Sequence, residues 1–160
     1  MAITVEKNDI SARFRQFRKA IVEKQIERLQ RLGEMCVTQA RSVPPSVGFH
    51  DQTGNLRSSI GYMVFVDGVS VHQSTFEQVS PQAAHKDGVT YDGGKKGEAY
   101  CREIGENTTG VCLVVVAGMD YATYVESKGR DVLTSAEHLA EQELPKQLAE
   151  LIENIKKAGE

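Results

Sequence analysis

Nothing narrows the choice of folds for this chain as much as residues 9–41. Ile10, Phe14, Phe17, Ile21, Ile26, Leu29, Leu32, Cys36 and Ala40 recur at steps of mostly three or four. That spacing is the apolar stripe of one long amphipathic helix. Asp9 stands where an N-cap would accept an orphan amide of the first turn. Ser42-Val43-Pro44-Pro45 ends the segment, because proline disfavours helical geometry in the residue before it. The predicted helix is about 50 Å long. A chain of 160 residues is expected to form a single domain, 1–160. Such a body cannot cover a rod of that length, so part of the stripe is expected to seek a neighbouring subunit.

Residues 44–52 read as a loop. Thr53-Gly54-Asn55-Leu56-Arg57-Ser58-Ser59-Ile60 reads as one helical turn capped by Thr53 or Asp51. A hairpin follows, with Tyr62, Val64 and Val66 alternating with Met63 and Phe65. Asp67-Gly68 suits a type I′ turn, and the return strand is expected from Val69 to about Phe76. A two-residue turn pairs Val66 with Val69 and Val64 with Val71 on a strongly apolar face. It pairs Phe65 with Ser70 and Met63 with His72 on a mixed face, which reads as a second contact surface.

Residues 77–110 show no sustained periodicity and hold six glycines. They are expected to form a flexible excursion with one helical turn near 99–104, since a structureless stretch of that length is uncommon inside a domain. The β-branched density of Val111–Ala117 predicts a third, well-buried strand. Residues 120–128 read as a short helix stopped at Gly129. The last helix opens with a capping-box pattern, Thr134-Ser135-Ala136-Glu137. Its stripe of Leu139, Leu144, Leu148, Leu151 and Ile155 keeps phase across Pro145, which predicts one kinked helix. The expected class is α+β: an antiparallel sheet of three to four strands against a long N-terminal and a C-terminal helix.

Few residues suggest bond-making chemistry. Asp51-Gln52-Thr53-Gly54 inserts a residue into the Asp-Thr-Gly of an aspartic protease loop. Gly93-Gly94-Lys95-Lys96-Gly97 lacks the leading Gly and the Ser or Thr after Lys that a phosphate-binding loop requires. Cys36, Cys101 and Cys112 form no pair at zinc-ligand spacing with one another or with His72 or His85. No catalytic residue, cofactor or metal is therefore expected, and a cysteine-dependent enzyme is the least favoured class. Three sparse cysteines, no signal-peptide core at the N-terminus and no apolar run beyond Val111–Met119 lead to the expectation of a soluble intracellular product, with no membrane span.

With 19 Lys and Arg against 22 Asp and Glu, the chain is not a generally basic nucleic-acid binder. Its charge is uneven, however. Residues 9–41 carry a net +4 and residues 134–160 a net −3, an asymmetry that favours oriented packing within or between subunits. Arg13, Arg15 and Arg18 leave open an alternative, a nucleic-acid-binding module that uses the first helix on phosphates.

Two segments resemble a known family. Thr53, Gly54, Leu56, Ser59 and Ile60 follow a Thr-Gly-x-Leu-x-x-Ser-Ile pattern after a long helix, and Tyr121, Ala122, Val125 and Glu126 follow Tyr-Ala-x-x-Val-Glu after a Val-rich strand. Together they resemble the minor tail component family of tailed phages, which includes tail-completion and head–tail joining proteins. The resemblance implies a virion structural protein of the neck or head-proximal tail, assembled in host cytoplasm. It implies a homo-oligomer, a ring, that contacts neighbouring neck and tail proteins with DNA only as passing cargo. Leu56 and Ile60 are expected to pin the first motif to the core, and Tyr121, Ala122 and Val125 to anchor the second. Arg57 is expected to hold Glu126, and Met63 and Phe65 to meet a neighbour.

Overall fold

The computed structural model describes residues 7–51, 53–76 and 92–158. Its elements run α1 (Lys7–Ser42), α2 (Asn55–Ser58), β1 (Ile60–Val66), β2 (Val69–Gln73), α3 (Gly93–Gly105), β3 (Val111–Ala117), α4 (Ala122–Ser127) and α5 (Thr134–Ala158). The three strands form one antiparallel sheet in the order β2-β1-β3. Helix α1 covers one face and α3 the other, while α5 packs along α1. The expected α+β class is the observed one.

Strand β1 alternates between the two covered faces, as a pleated strand must. Tyr62 and Val64 belong to the α1-side core with Leu32, Cys36 and Leu56. Met63 and Phe65 belong to a second cluster with Cys101, Val114 and Val116. The contact surface expected at Met63 and Phe65 is thus corrected, because both side chains are fully buried beneath α3. Their helical cover was hidden in the glycine-rich region. Gly93, Gly97, Cys101 and Gly105 recur every fourth residue and are buried, a stripe of small residues that large-apolar periodicity does not register.

Those glycines let α3 come close. A Cβ at Gly97 would lie 2.2 Å from the Ser59 carbonyl oxygen, and one at Gly105 would lie 2.0 Å from the Phe65 ring. Asp92 caps the helix by accepting from the Lys95 N–H at 3.1 Å. Residues 92–105 are therefore cap and helix, not excursion. Residues 106–110 form the turn that leads into β3, with the Thr108 N–H donating to the Gly105 carbonyl at 3.0 Å, and residues 77–91 lie outside the described residues.

The hairpin turn is as expected. Asp67 and Gly68 have φ of 49° and 79°, the two positive values that a type I′ turn needs. Pairing keeps Val66 with Val69 and Phe65 with Ser70, then slips at a bulge so that Val64 faces His72 and Met63 faces Gln73. The extra residue breaks the expected Val64–Val71 pair and turns His72 to the α1 side. There His72 Nε2 lies 3.0 Å from the Tyr62 hydroxyl, which donates to Glu34 Oε1 at 2.8 Å. Burial, reinforced by Glu34, pushes the Tyr62 hydroxyl well above its ordinary pKa. Val69 and Val71 are exposed and do not complete an apolar face. The return strand stops at Gln73, short of Phe76.

Lys7 and Asn8 are already part of helix α1, so Asp9 lies inside the helix and not at its cap. Strand β3 is less buried than expected, with only Val114 and Val116 buried, because it is a sheet edge. Helix α5 runs unbroken through Pro145. It lies antiparallel to α1, with the Cys36 thiol donating to the Ala136 carbonyl at 3.6 Å and Arg28 paired to Glu150 at 3.2 Å. The charge asymmetry of the two helices is thus met in part within one chain.

Replacing Gly97 by Ala should destabilise the protein by about 1–3 kcal/mol through overpacking, even though Ala in place of Gly favours an isolated helix by about 1 kcal/mol. Urea unfolding of the two proteins checks the sign.

Candidate assembly surface

The motif residues are joined to one another in space. Gly54 takes φ 75° at the start of α2, a left-handed conformation that glycine adopts without strain. Leu56 and Ile60 are buried in the α1-side core, as are Tyr62 and Ala122. The Ser59 carbonyl accepts from the Gly118 N–H at 3.2 Å, and the Ser59 hydroxyl donates to the Leu56 carbonyl at 2.8 Å. Burial and the nearby Asp51 carboxylate push the Tyr121 hydroxyl up, and a hydrogen bond with Thr53 opposes them. Tyr121 and Val125 pack against the same core while remaining partly exposed. The residues that carry the resemblance hold the α2–β1 entry against the β3–α4 exit.

The cap of α2 is shared between both expected residues. Asp51 Oδ2 accepts from the Arg57 N–H at 3.1 Å, and Thr53 Oγ1 accepts from the Asn55 N–H at 3.4 Å. The expected Arg57–Glu126 pair is corrected. Arg57 instead donates to the Arg41 carbonyl and lies over the Phe49 ring at 5.6 Å. Glu126 caps α5: its Oε1 accepts from the Leu133 N–H at 3.1 Å, the Thr134 N–H at 2.9 Å and the Thr134 hydroxyl at 2.6 Å. Asp131 Oδ1 accepts from the Ser135 N–H at 3.1 Å. These two carboxylates fill the role expected of the Thr134–Glu137 capping box. Burial alone would raise the Glu126 pKa, but the bonds from Thr134, Leu133 and Val132 hold it below the ordinary carboxylate value.

The surfaces left uncovered lie elsewhere. Residues 10–20 of α1 are all exposed, including Ile10, Phe14 at 73% and Phe17. Further along, Phe17 and Ile21 face Leu151 and Ile155 of α5 across an open crevice. A second, apolar groove of about 520 Å³ has β3 residues Val111, Leu113 and Val115 as its floor and α5 residues Leu144 and Leu148 as one wall. It exists because α5 packs along α1 rather than over the edge strand. Leu148, expected in the buried stripe, is 43% exposed, whereas Leu151 is buried. The inner stripe runs through Ala136, Ala140, Leu144, Gln147 and Leu151. Leu148 and the exposed Ile152 fall beside it on the outer flank, a spill that a single apolar stripe does not separate.

Cys36 and Cys101 are buried, and Cys112 is partly exposed. Burial pushes the Cys101 thiol up to about 12, outweighing the opposing effects of the Met63 backbone and Arg102. Among the described residues, no three His, Cys, Asp or Glu side chains gather as a metal site, and no helix is long and apolar enough to cross a membrane. No family model matches the chain, and comparison with curated proteins and with solved structures finds no significant match.

A carboxylate whose pKa is depressed by folding stabilises the fold above its unfolded pKa. That stability is lost as pH falls through the lower folded value. Glu126→Gln should therefore cost about 1–2 kcal/mol at neutral pH and flatten the stability profile below the unfolded carboxylate range, as read from denaturant midpoints across pH. Alkylation of the native protein should label Cys112 well before Cys36 and Cys101, which should react on unfolding. Peptide mass spectrometry over a time course checks the order.

Proposed function

We propose that this chain is a structural subunit of the neck or head-proximal tail of a tailed phage or prophage, acting by ring-type oligomer assembly with DNA as passing cargo. The observation that carries this reading is the bare apolar end of α1. Ile10, Phe14 and Phe17 are exposed on a helix that outruns its own fold. Apolar side chains in that number on one helix face gain free energy when another surface covers them. The joined Thr53–Ile60 and Tyr121–Glu126 motifs support the same reading, since they serve as scaffold in the way the resemblance implies. Assembly would proceed by shape and apolar burial, without bond-making by the subunit.

The alternative, a nucleic-acid-binding module, draws on Arg13, Arg15 and Arg18, which are exposed in the same stretch. Their spacing spreads them around the helix and gives no single line along a phosphate backbone. It would show as a DNA affinity that falls steeply with salt and is lost on replacing the three arginines.

Light scattering at high concentration should show self-association, and mass spectrometry of purified particles should find the chain in the virion. A strict monomer absent from particles would overturn the proposal.

A further inference from the structure

The apolar end of α1 and the groove beside β3 are complementary surfaces that one molecule cannot bring together. The groove is lined in part by α1 itself, at Leu29 and Leu32. Residues 10–17 lie farther along the same unbroken helix, and a continuous helix cannot fold back onto its own flank. Both surfaces are apolar and open: Phe14 and Phe17 on one, Leu148 on the other.

Their dimensions and charges also agree. The segment from residue 10 to residue 21 is about 18 Å long as a helix, and β3, with its seven residues, spans about 23 Å. Ile10, Phe14, Phe17 and Ile21 are the i, i+4, i+7 and i+11 positions of a helix that lays one face into a groove. At about 100° per residue, Arg13 and Arg18 flank that stripe on its two sides. On the groove side, the exposed Glu141 shares a helix face with Leu144 and Leu148. The last helix segment is net acidic where the first is net basic. The basic Arg28 at the groove is already paired with Glu150. Gln147, on the groove wall, has its Oε1 buried with no hydrogen-bond donor, a deficit that an incoming arginine relieves after a side-chain rotation.

We propose that residues 10–21 of one copy seat in the groove between β3, α1 and α5 of a second copy. This rests on the structural-subunit reading and names the contact that reading requires. Donor and acceptor are different surfaces of the same chain, so the contact is heterologous. Repeated around a closing rotation it makes a ring.

The test uses two full-length variants, Phe14→Asp and Leu148→Asp. Both change exposed side chains, so circular dichroism and thermal unfolding should match the unchanged protein. Each variant alone should lose self-association at least tenfold by sedimentation or light scattering. Mixed in equal amounts they should form a 1:1 complex and stop there, because the Phe14→Asp chain keeps an intact groove and the Leu148→Asp chain keeps an intact helix. If both variants assemble like the unchanged protein, the docking site is overturned and the ring reading stands. A closed pair of unchanged chains, broken by either substitution, upholds the docking and overturns the ring. An unchanged chain that stays monomeric across the concentration series overturns the docking, and the virion content then decides the structural reading independently.

Discussion

Strand β1 is buried on both faces, and that double burial sets the terms for every other element. On one side Tyr62 and Val64 press on α1; on the other Met63 and Phe65 press on α3. Fully covering side chains of this size contributes roughly 1.5–3 kcal/mol each, but only if both helices come within contact of the strand. Small residues make that approach possible. A Cβ at Gly33 of α1 would lie 2.4 Å from the Tyr62 ring, and the glycines of α3 clear the Ser59 backbone and the Phe65 ring. The central strand supplies the bulk, and its two neighbours give way to it.

From that centre the uncovered surface follows. Helix α1 must lie against β1 and β3 through its C-terminal half, and α5 must run beside it. Neither requirement extends to the first turns of α1 or to the outer flank of β3. The result is a firm body with an apolar helix end and an apolar edge groove, both available for association. The motif residues belong to the body: Ser59 bonded to Gly118 and Glu126 bonded to the start of α5 tie distant segments together. In the proposed assembly, their part would be to hold the frame on which the contact surfaces stand.

Local signals are legible along the chain. The 3.6-residue stripe of α1, the two positive-φ positions at Asp67 and Gly68, the β-branched run of β3 and the helical phase kept across Pro145 each rest on interactions within a few residues. The misreadings share a different cause. Helix α3 reads as an excursion because its buried face is glycine and cysteine, and Met63 and Phe65 read as a contact surface because that cover goes unrecognised. The hairpin register fails beyond the first two pairs because one bulged residue shifts everything after it. Opposite charge alone suggests an Arg57–Glu126 pair, yet each side chain finds nearer backbone partners.

The amino-acid order by itself determined the helices, turns and strands other than α3, and that α1 is longer than any small body can cover. Those are properties of neighbouring residues, set by backbone sterics and side-chain periodicity. Only the tertiary structure decided which faces are closed and which stay open. That depends on how near two backbones approach, a distance governed by glycines that carry no apolar signal of their own. The groove beside β3 is the clearest case: Val111, Leu113, Leu144 and Leu148 all read as core, and the placement of α5 along α1 leaves an opening between them.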